Sequence, residues 1–421
     1  MNIIERMRRD WDRRAREDAY FYAGFARRNQ SSADFFSSAS DTVRTIEAEL
    51  SRLPPSEARC ALEIGCGPGR LMGALAHNFA EIHGVDISEQ MAALARENLR
   101  FVAGACVHVT PDSSLSMFPE GRFDFVYSYT VFQHIPSRDV VLNYMREARR
   151  VLKPGGILCA QLRGTPPMAT EIEREAETWT GCHFSSAEML AFSAENDFPL
   201  VAVWGLETQY MWTVWRKPSA AQPRDFSRVS VKDVTISSGA DRRVPQCGFD
   251  AVVSLWTTGM PEDAGLSDLR IAFGDVRTHG CYLSPVGENG GAQLNARVPA
   301  AVPAGRTEIS LEGASGVHAI EIVPFEMHPA IVDVTDAIHI GSKYRIETGG
   351  VKVTLEGIEK PGEVSFHLQG RQAEIVQIEF KDPVVLKYEY SFYLPHRKRK
   401  GNVTMLIRTS GGDIPVSIEI V

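Results

Sequence analysis

The stretch "ALEIGCGPGR" (61–70) sets Gly65, Gly67 and Gly69 at alternate positions, with the acid Glu63 two residues ahead of the first, at the end of a short apolar run. Glycine there lets a backbone turn tightly and pass close to a ligand, because no Cβ intervenes. Turns of this kind bind dinucleotides, mononucleotides and nucleoside cofactors, and their spacing separates them. A nicotinamide turn needs G-x-G-x-x-G, with its pyrophosphate at the helix N-terminus. Here the third glycine arrives one residue early, which suits a ligand that has no pyrophosphate. Asp86 follows Gly65 by 21 residues, and Asp112 stands in "TPDSSLSMFPEGRFD". His134 lies in "VFQHIP", and its imidazole has the type of pKa that a general base needs.

The elements that must position these residues alternate strand and helix. "CALEI" reads as a strand, "RLMGALAHNF" as a helix and "EIHGVDI" as the next strand. Ser88 caps the helix "SEQMAALARENL", whose inward face carries Met91, Leu94 and Ala95. "FDFVYSY", "SRDVVLNYMREARRVL" and "ILCAQLRG" continue the pattern, with Lys153-Pro154-Gly155-Gly156 as a helix stop. Such alternation predicts a parallel sheet covered on both faces. After a helix at about 185–195, "FPLVAVWGLET" and "QYMWTVWRK" are too closely spaced for a crossover, so the last strand is expected to be antiparallel.

This half of the chain resembles the class I S-adenosylmethionine-dependent methyltransferases (type 11, 12 or 25), whose first motif is E/D-x-G-x-G-x-G. Five segments match in order over residues 60–163. The resemblance implies a Rossmann-like α/β domain of seven strands over 59–217, with S-adenosyl-L-methionine as cofactor. Gly65 and Gly67 then pass beneath the methionine portion, beside Glu63 and Cys66, and Gly69 starts the helix tight against the strand. Asp86 accepts hydrogen bonds from both ribose hydroxyls. Asp112 and the Ser113 backbone meet the adenine edge, and Ile87, Met91, Ser128 and Tyr129 complete the wall.

Methyl transfer is an in-line displacement, and such enzymes work with or without a recognisable base. His134 is the candidate base; its alternative is a hydrogen-bonded loop anchor beside Gln133. The N-terminal segment 1–58 reads as a helical lid, with Trp11, Tyr20, Phe21 and Tyr22 on its aromatic stretch. Tyr20, Tyr22, Trp179 and Tyr210 are the candidate acceptor-pocket residues. Methylases of exocyclic base amines carry Asn/Asp-Pro-Pro-aromatic after the fourth strand, where this chain reads "SYTVF". A small-molecule, sugar, lipid or peptide acceptor remains open, and so does the oxygen, nitrogen or carbon atom methylated. The competing reading is a scaffold that keeps an inactive cofactor fold.

From about 217–226 ("KPSAAQPRDF") onward the pattern changes to short strands between turns. "AIEIV" (319–323) and "SIEIV" (417–421) end two similar stretches. Pro299 precedes Gly305 by six residues, as Pro395 precedes Gly401. Two β-sandwich modules are therefore expected, at 227–324 and 329–421. The phrase "QLNARVPAAVPAGRTEISLEG" resembles the immunoglobulin-like modules of the IPT/TIG group. These modules carry no catalytic constellation and are expected to recruit substrate or form a homodimer, with Trp256 in a sandwich core. The basic run "HRKRK" (396–400) reads as a solvated loop.

The formal net charge of -8 argues against a nucleic-acid partner. The seven cysteines form no CxxC pair, so free thiols, a reducing compartment and no metal site are expected. Neither a signal segment nor a membrane span is expected, and cytoplasm is the default location.

Overall fold

A computed structural model describes residues 2–24, 31–164, 178–206, 208–219, 224–248, 250–324, 328–337, 343–358, 360–382, 386–394 and 400–421. The strand "CALEI" is β1 (Cys60–Ile64), and every one of its residues is buried. It pairs in parallel with β2 (Glu81–Asp86), which pairs with β3 (Ala105–Val109). On its other side lie β4 (Phe123–Ser128) and β5 (Leu152–Leu162), also parallel. The hairpin β6 (Leu200–Trp204) and β7 (Met211–Arg216) completes the order 3-2-1-4-5-7-6, with β7 antiparallel to both neighbours. This is the seven-stranded Rossmann-like arrangement expected from the alternation.

Helices cover both faces. An N-terminal helix α1 (Ile3–Ala23) is capped by Asn2 and interrupted at Asp18, whose carboxylate accepts the Phe21 amide and recaps the last turn. Then come α2 (Ser32–Ser37), α3 (Ser40–Glu49), α4 (Arg70–Leu75), α5 (Glu89–Asn98), α6 (Arg138–Val151) and α7 (Ser186–Glu195). Ile46, Leu71, Leu75 and Leu99 pack on one face of the sheet, and Val141, Met145, Met189 and Phe192 on the other. No helix among the described residues is long and apolar enough to cross a membrane.

The first β-module is not free-standing. It comprises β8 (Ser230–Ile236), β9 (Arg243–Pro245), β10 (Val252–Thr258), β11 (Arg270–Phe273), β12 (Val276–His279), β13 (Tyr282–Leu283), β14 (Ala292–Arg297), β15 (Gly305–Leu311) and β16 (Val317–Val323). Its sheet 13-14-10-8 continues the seven-stranded sheet through an antiparallel pairing of Tyr282 with Ala202, giving eleven strands in all. An open β6 edge would present unpaired amides, and β13 covers it: the Val203 amide donates to the Cys281 carbonyl over 2.8 Å. The described part of the 217–226 segment is also pinned. Lys217 donates to the Leu152 carbonyl and Arg224 to Asp197; residues 220–223 lie outside the described residues.

The second module comprises β17 (Ala330–Asp336), β18 (Arg345–Ile346), β19 (Gly350–Glu356), β20 (Ser365–Leu368), β21 (Arg371–Gln372), β22 (Ile375–Asp382), β23 (Lys387–Tyr393), β24 (Gly401–Thr409) and β25 (Gly412–Ile420). Its two sheets, 17-19-23-22 and 18-25-24-20-21, repeat the order of the first module, 8-10-14-13 and 9-16-15-11-12. The repeated pentapeptides occupy matching places. Gly305 faces Ile322, and Gly401 faces Ile420, both glycines at positive φ. Pro395 and most of "HRKRK" (residues 395–399) lie outside the described residues. Trp256 departs from expectation: the β10 alternation buries Leu255 and turns Trp256 outward, 44% exposed, with its indole N–H donating to Thr235.

Candidate active site

The glycine turn is built as its spacing requires. Gly65, Gly67 and Gly69 all have positive φ, at 74°, 51° and 86°. A Cβ on Gly65 would stand 2.3 Å from Val131, and one on Gly69 would stand 2.8 Å from Leu99, so both are closed to side chains. A Cβ on Gly67 would meet only the Ala23 Cβ, at 3.7 Å. Gly67 therefore opens on a pocket that Gly65 also lines, whereas Gly69 serves packing. The Gly65 and Cys66 amides both donate to the Val85 carbonyl, locking the turn against β2.

Asp86 ends β2 beside this turn. Its Oδ2 accepts the Gly67 amide and its Oδ1 the Ser88 amide, each over 2.8 Å. A carboxylate has about four lone-pair sites, so acceptor capacity remains for a ligand. Burial pushes its pKa up to about 6, against the pull of the Ser88, Gly67 and Ile87 amides. Glu63 is buried deeper, and burial raises its pKa to about 8. The Tyr127 hydroxyl donates to it over 3.0 Å, and the Arg70 guanidinium lies close enough to favour its ionised form.

The pocket is lined by Glu63, Gly65, Cys66, Gly67, Asp86, Ile87, Met91 and Tyr129, together with Arg70, Thr110 and Tyr144. Tyr129 stacks on Trp212, with ring centroids 5.4 Å apart. Met7, Trp11, Tyr22 and Ala23 of α1, and Phe35 of α2, cover it, leaving a void of about 90 Å³. Asp12 ties α1 to this wall by accepting the Ser88 hydroxyl over 2.6 Å. Thr110, at the end of β3, and Phe35 were not legible as lining residues. Arg70 directly follows the glycine motif, and that adjacency was the available signal.

Other expected residues lie outside the lining. Gly69 packs on Leu99. The Ser128 hydroxyl is fully buried and donates to the Ile64 carbonyl, tying β4 to β1. The Asp112 carboxylate accepts the Ser114 amide in a local turn, and Ser113 is held by Asn143, so the pocket wall there is Thr110. Tyr20 stacks on Phe35 and stands behind the pocket. Trp179 packs against Tyr22 and Trp11 at the pocket's flank. Tyr210 lies in the turn just before β7 and is 37% exposed, with the Lys381 ammonium of the second module 5.9 Å over its ring.

His134 is half-buried, packed against Trp11 and Trp179. Its Nδ1–H donates to the Trp179 carbonyl, and its Nε2 faces the Gln133 amide at 3.3 Å. Burial, with Arg14 and Arg163 nearby, pushes its pKa down to about 4. At the opposite edge of the sheet, Cys60, Glu81 and His83 bring donor atoms within 4.8 Å of one another, but Arg122 already pairs with Glu81 there.

Residues 62–160 match the family model described as a methyltransferase domain. Trans-aconitate 2-methyltransferase of Rhodopseudomonas palustris is 33% identical over 118 residues, covering 27% of this chain and 42% of that protein. 2-Methyl-6-phytyl-1,4-hydroquinone methyltransferase of Synechocystis is 35% identical over 128 residues, covering 30% and 38%. The chain thus spans less than half the length of these curated relatives. A solved structure of geranyl diphosphate C-methyltransferase from Streptomyces coelicolor aligns with TM-score 0.40 at 15% identity, over 52% of this chain and 98% of that one. The cofactor of this methyltransferase domain is S-adenosyl-L-methionine. The residues present fit it: an open glycine at the turn, and two carboxylates with lone pairs to spare at the carboxyl edge of the sheet.

Proposed function

We propose that the chain transfers the methyl group of S-adenosyl-L-methionine to a small-molecule acceptor. The observation that carries this reading is the joining of Gly67 and Asp86 through one 2.8 Å hydrogen bond, beside an otherwise open turn. When bound, the cofactor supplies an activated methyl group on a sulfonium. Asp86 holds the ribose hydroxyls with its remaining acceptor capacity, and Gly67 lets the methionine end lie on the backbone. Glu63 takes the cationic end of the amino acid, and Ile87, Met91 and Tyr129 enclose the rest. Asp112 and Ser113 stand one layer out and hold the loop that presents Thr110. Trp11, Tyr22 and Trp179 exclude water on the acceptor side. Alignment of this kind contributes roughly 7–11 kcal/mol to a displacement.

His134 acts as a positioning residue, since both its nitrogens are engaged and its proton affinity is low. Relatives named for aconitate, a hydroquinone and a sterol favour small acceptors. The two C-terminal sandwiches have strand orders that suit immunoglobulin-like modules, four strands facing five, and serve recruitment. Free cysteines, several buried, suit a reducing compartment such as the cytoplasm. The void of about 90 Å³ favours one other reading, a scaffold with a closed and inactive fold. Calorimetry with S-adenosylhomocysteine separates them: saturable 1:1 binding supports the enzyme, and absence of binding to the wild type sinks it.

A further inference from the structure

A second cleft, of about 750 Å³, lies at the seam where the first β-module joins the methyltransferase sheet. One wall comes from α7 and the end of β6, with Leu190, Val203 and Leu206. The other comes from the first module, with Leu266, His279 and Arg297. The chain carries 53 acidic residues against 45 Lys and Arg, yet no described residue lining this cleft is Asp or Glu. Its charged groups are Arg277 and Arg297. Arg277 is drawn outward by Glu312, over 2.7 Å, so Arg297 is the guanidinium that serves the interior. Among the described residues its one acceptor is the Gly248 carbonyl, at 3.4 Å, which leaves most of its N–H donors for a ligand. His279 is oriented by donation from Nδ1 to the Leu266 carbonyl, 3.1 Å away.

We propose that this seam cleft is a second ligand site, which takes an amphipathic anion. An apolar body lies on Leu190, Val203 and Leu206, and an acidic head group meets Arg297. Its size matches the range of small-molecule sites, and interfaces between domains are a preferred place for them. Ser185, which caps α7 at the cleft, stands only six positions after Trp179, at the flank of the cofactor pocket. The cleft therefore opens on the same carboxyl edge as the glycine turn. The proposal does not depend on the methyl-transfer reading.

The test is calorimetric titration of the full chain with decyl phosphate, below its micelle concentration. Decanoate, decanol and decyltrimethylammonium serve as comparison probes. Decyl phosphate should bind 1:1. Arg297→Gln should weaken that binding at least tenfold, and decanol and the cationic probe should bind at least tenfold more weakly than decyl phosphate. Decanoate binding as tightly would assign the head group to any anion, and weaker binding would assign it to phosphate. Ala187→Trp, at an exposed position on the cleft wall, should block the probe while S-adenosylhomocysteine binding stays as in the wild type. No saturable binding, equal binding of decanol, or unchanged affinity in both variants overturns the proposal.

Discussion

The Gly67 amide donates to Asp86 Oδ2 over 2.8 Å, so the glycine turn after β1 and the acid that ends β2 form one unit. That unit couples the shape of the turn to the charge of the carboxylate. Replacing Asp86 therefore removes ligand acceptors and also loosens the turn. Asp86→Ala is expected to weaken S-adenosylhomocysteine about 100-fold, since each charge-assisted hydrogen bond is worth roughly 1.5–3 kcal/mol. Asp86→Asn, which keeps one acceptor oxygen, should lose less. Calorimetry on the two variants checks the order.

The three glycines should fail differently. Gly65→Ala forces a Cβ to 2.3 Å from Val131 at positive φ, and should cost about 2–5 kcal/mol of stability from strain and overpacking together. Gly67→Ala meets only the Ala23 Cβ, at an ordinary contact distance of 3.7 Å, so it should cost only about 1 kcal/mol in the fold. It should nevertheless lose cofactor affinity, because the new methyl points into the pocket. Urea unfolding paired with ligand titration separates the two effects. Equal stability losses would contradict the contact geometry.

Glu63 sets a pH dependence. Its folded pKa is raised to about 8 from an ordinary value near 4.5, so the folded state binds the extra proton. The ligand-free protein should lose stability from this group as pH rises from about 4.5 through 8, and hold it below that window. A cationic amino acid end beside Glu63 favours its ionised form. Cofactor binding at pH 7 should therefore release up to one proton, seen as a dependence of binding enthalpy on the buffer's ionisation enthalpy. Glu63→Gln should abolish the release.

Much of the framework was legible because it is local. The "CALEI" strand, the Ser88 cap and the β6–β7 hairpin follow from periodicity and spacing, and they stand where the sequence places them. The duplication was legible too, since Gly305 and Gly401 carry the same turn chemistry in both copies. What sequence could not show was long-range. Tyr282 pairs with Ala202 across 80 residues, and no local pattern announces that β13 will extend a neighbouring sheet. Trp256 was misjudged because its strand alternates in a register set by partners in β8 and β14. At the site, no local pattern announces that Thr110 lines the pocket or that the Asp112 carboxylate accepts the Ser114 amide.

His134 should remain neutral throughout the physiological range, because burial lowers its pKa to about 4. A histidine Cε1 proton resonance of this residue that titrates near 6.5 would restore the base role. Its contribution is to hold the loop to the Trp179 carbonyl. His134→Ala should cost roughly 1–3 kcal/mol in urea unfolding. His134→Asn, which keeps a donor near Nδ1, should recover part of it.

The seam also decides where the chain can be cut. Residues 1–219 alone would uncover β6, whose Val201, Ala202 and Val203 are buried in the whole protein, and would leave Arg52 without the Leu283 carbonyl it now reaches over 2.8 Å. An exposed apolar edge strand invites pairing between copies. This fragment should therefore self-associate in light scattering and melt below the full chain. Residues 1–324 keep the eleven-stranded sheet intact and shed only the second module, whose apolar core is a separate cluster around Val353, Phe366 and Met405. That fragment should stay monodisperse and bind S-adenosylhomocysteine as the full chain does. If 1–219 proves equally soluble and stable, β13 is decoration on an edge that protects itself, and the continuous sheet has no part in holding the site together.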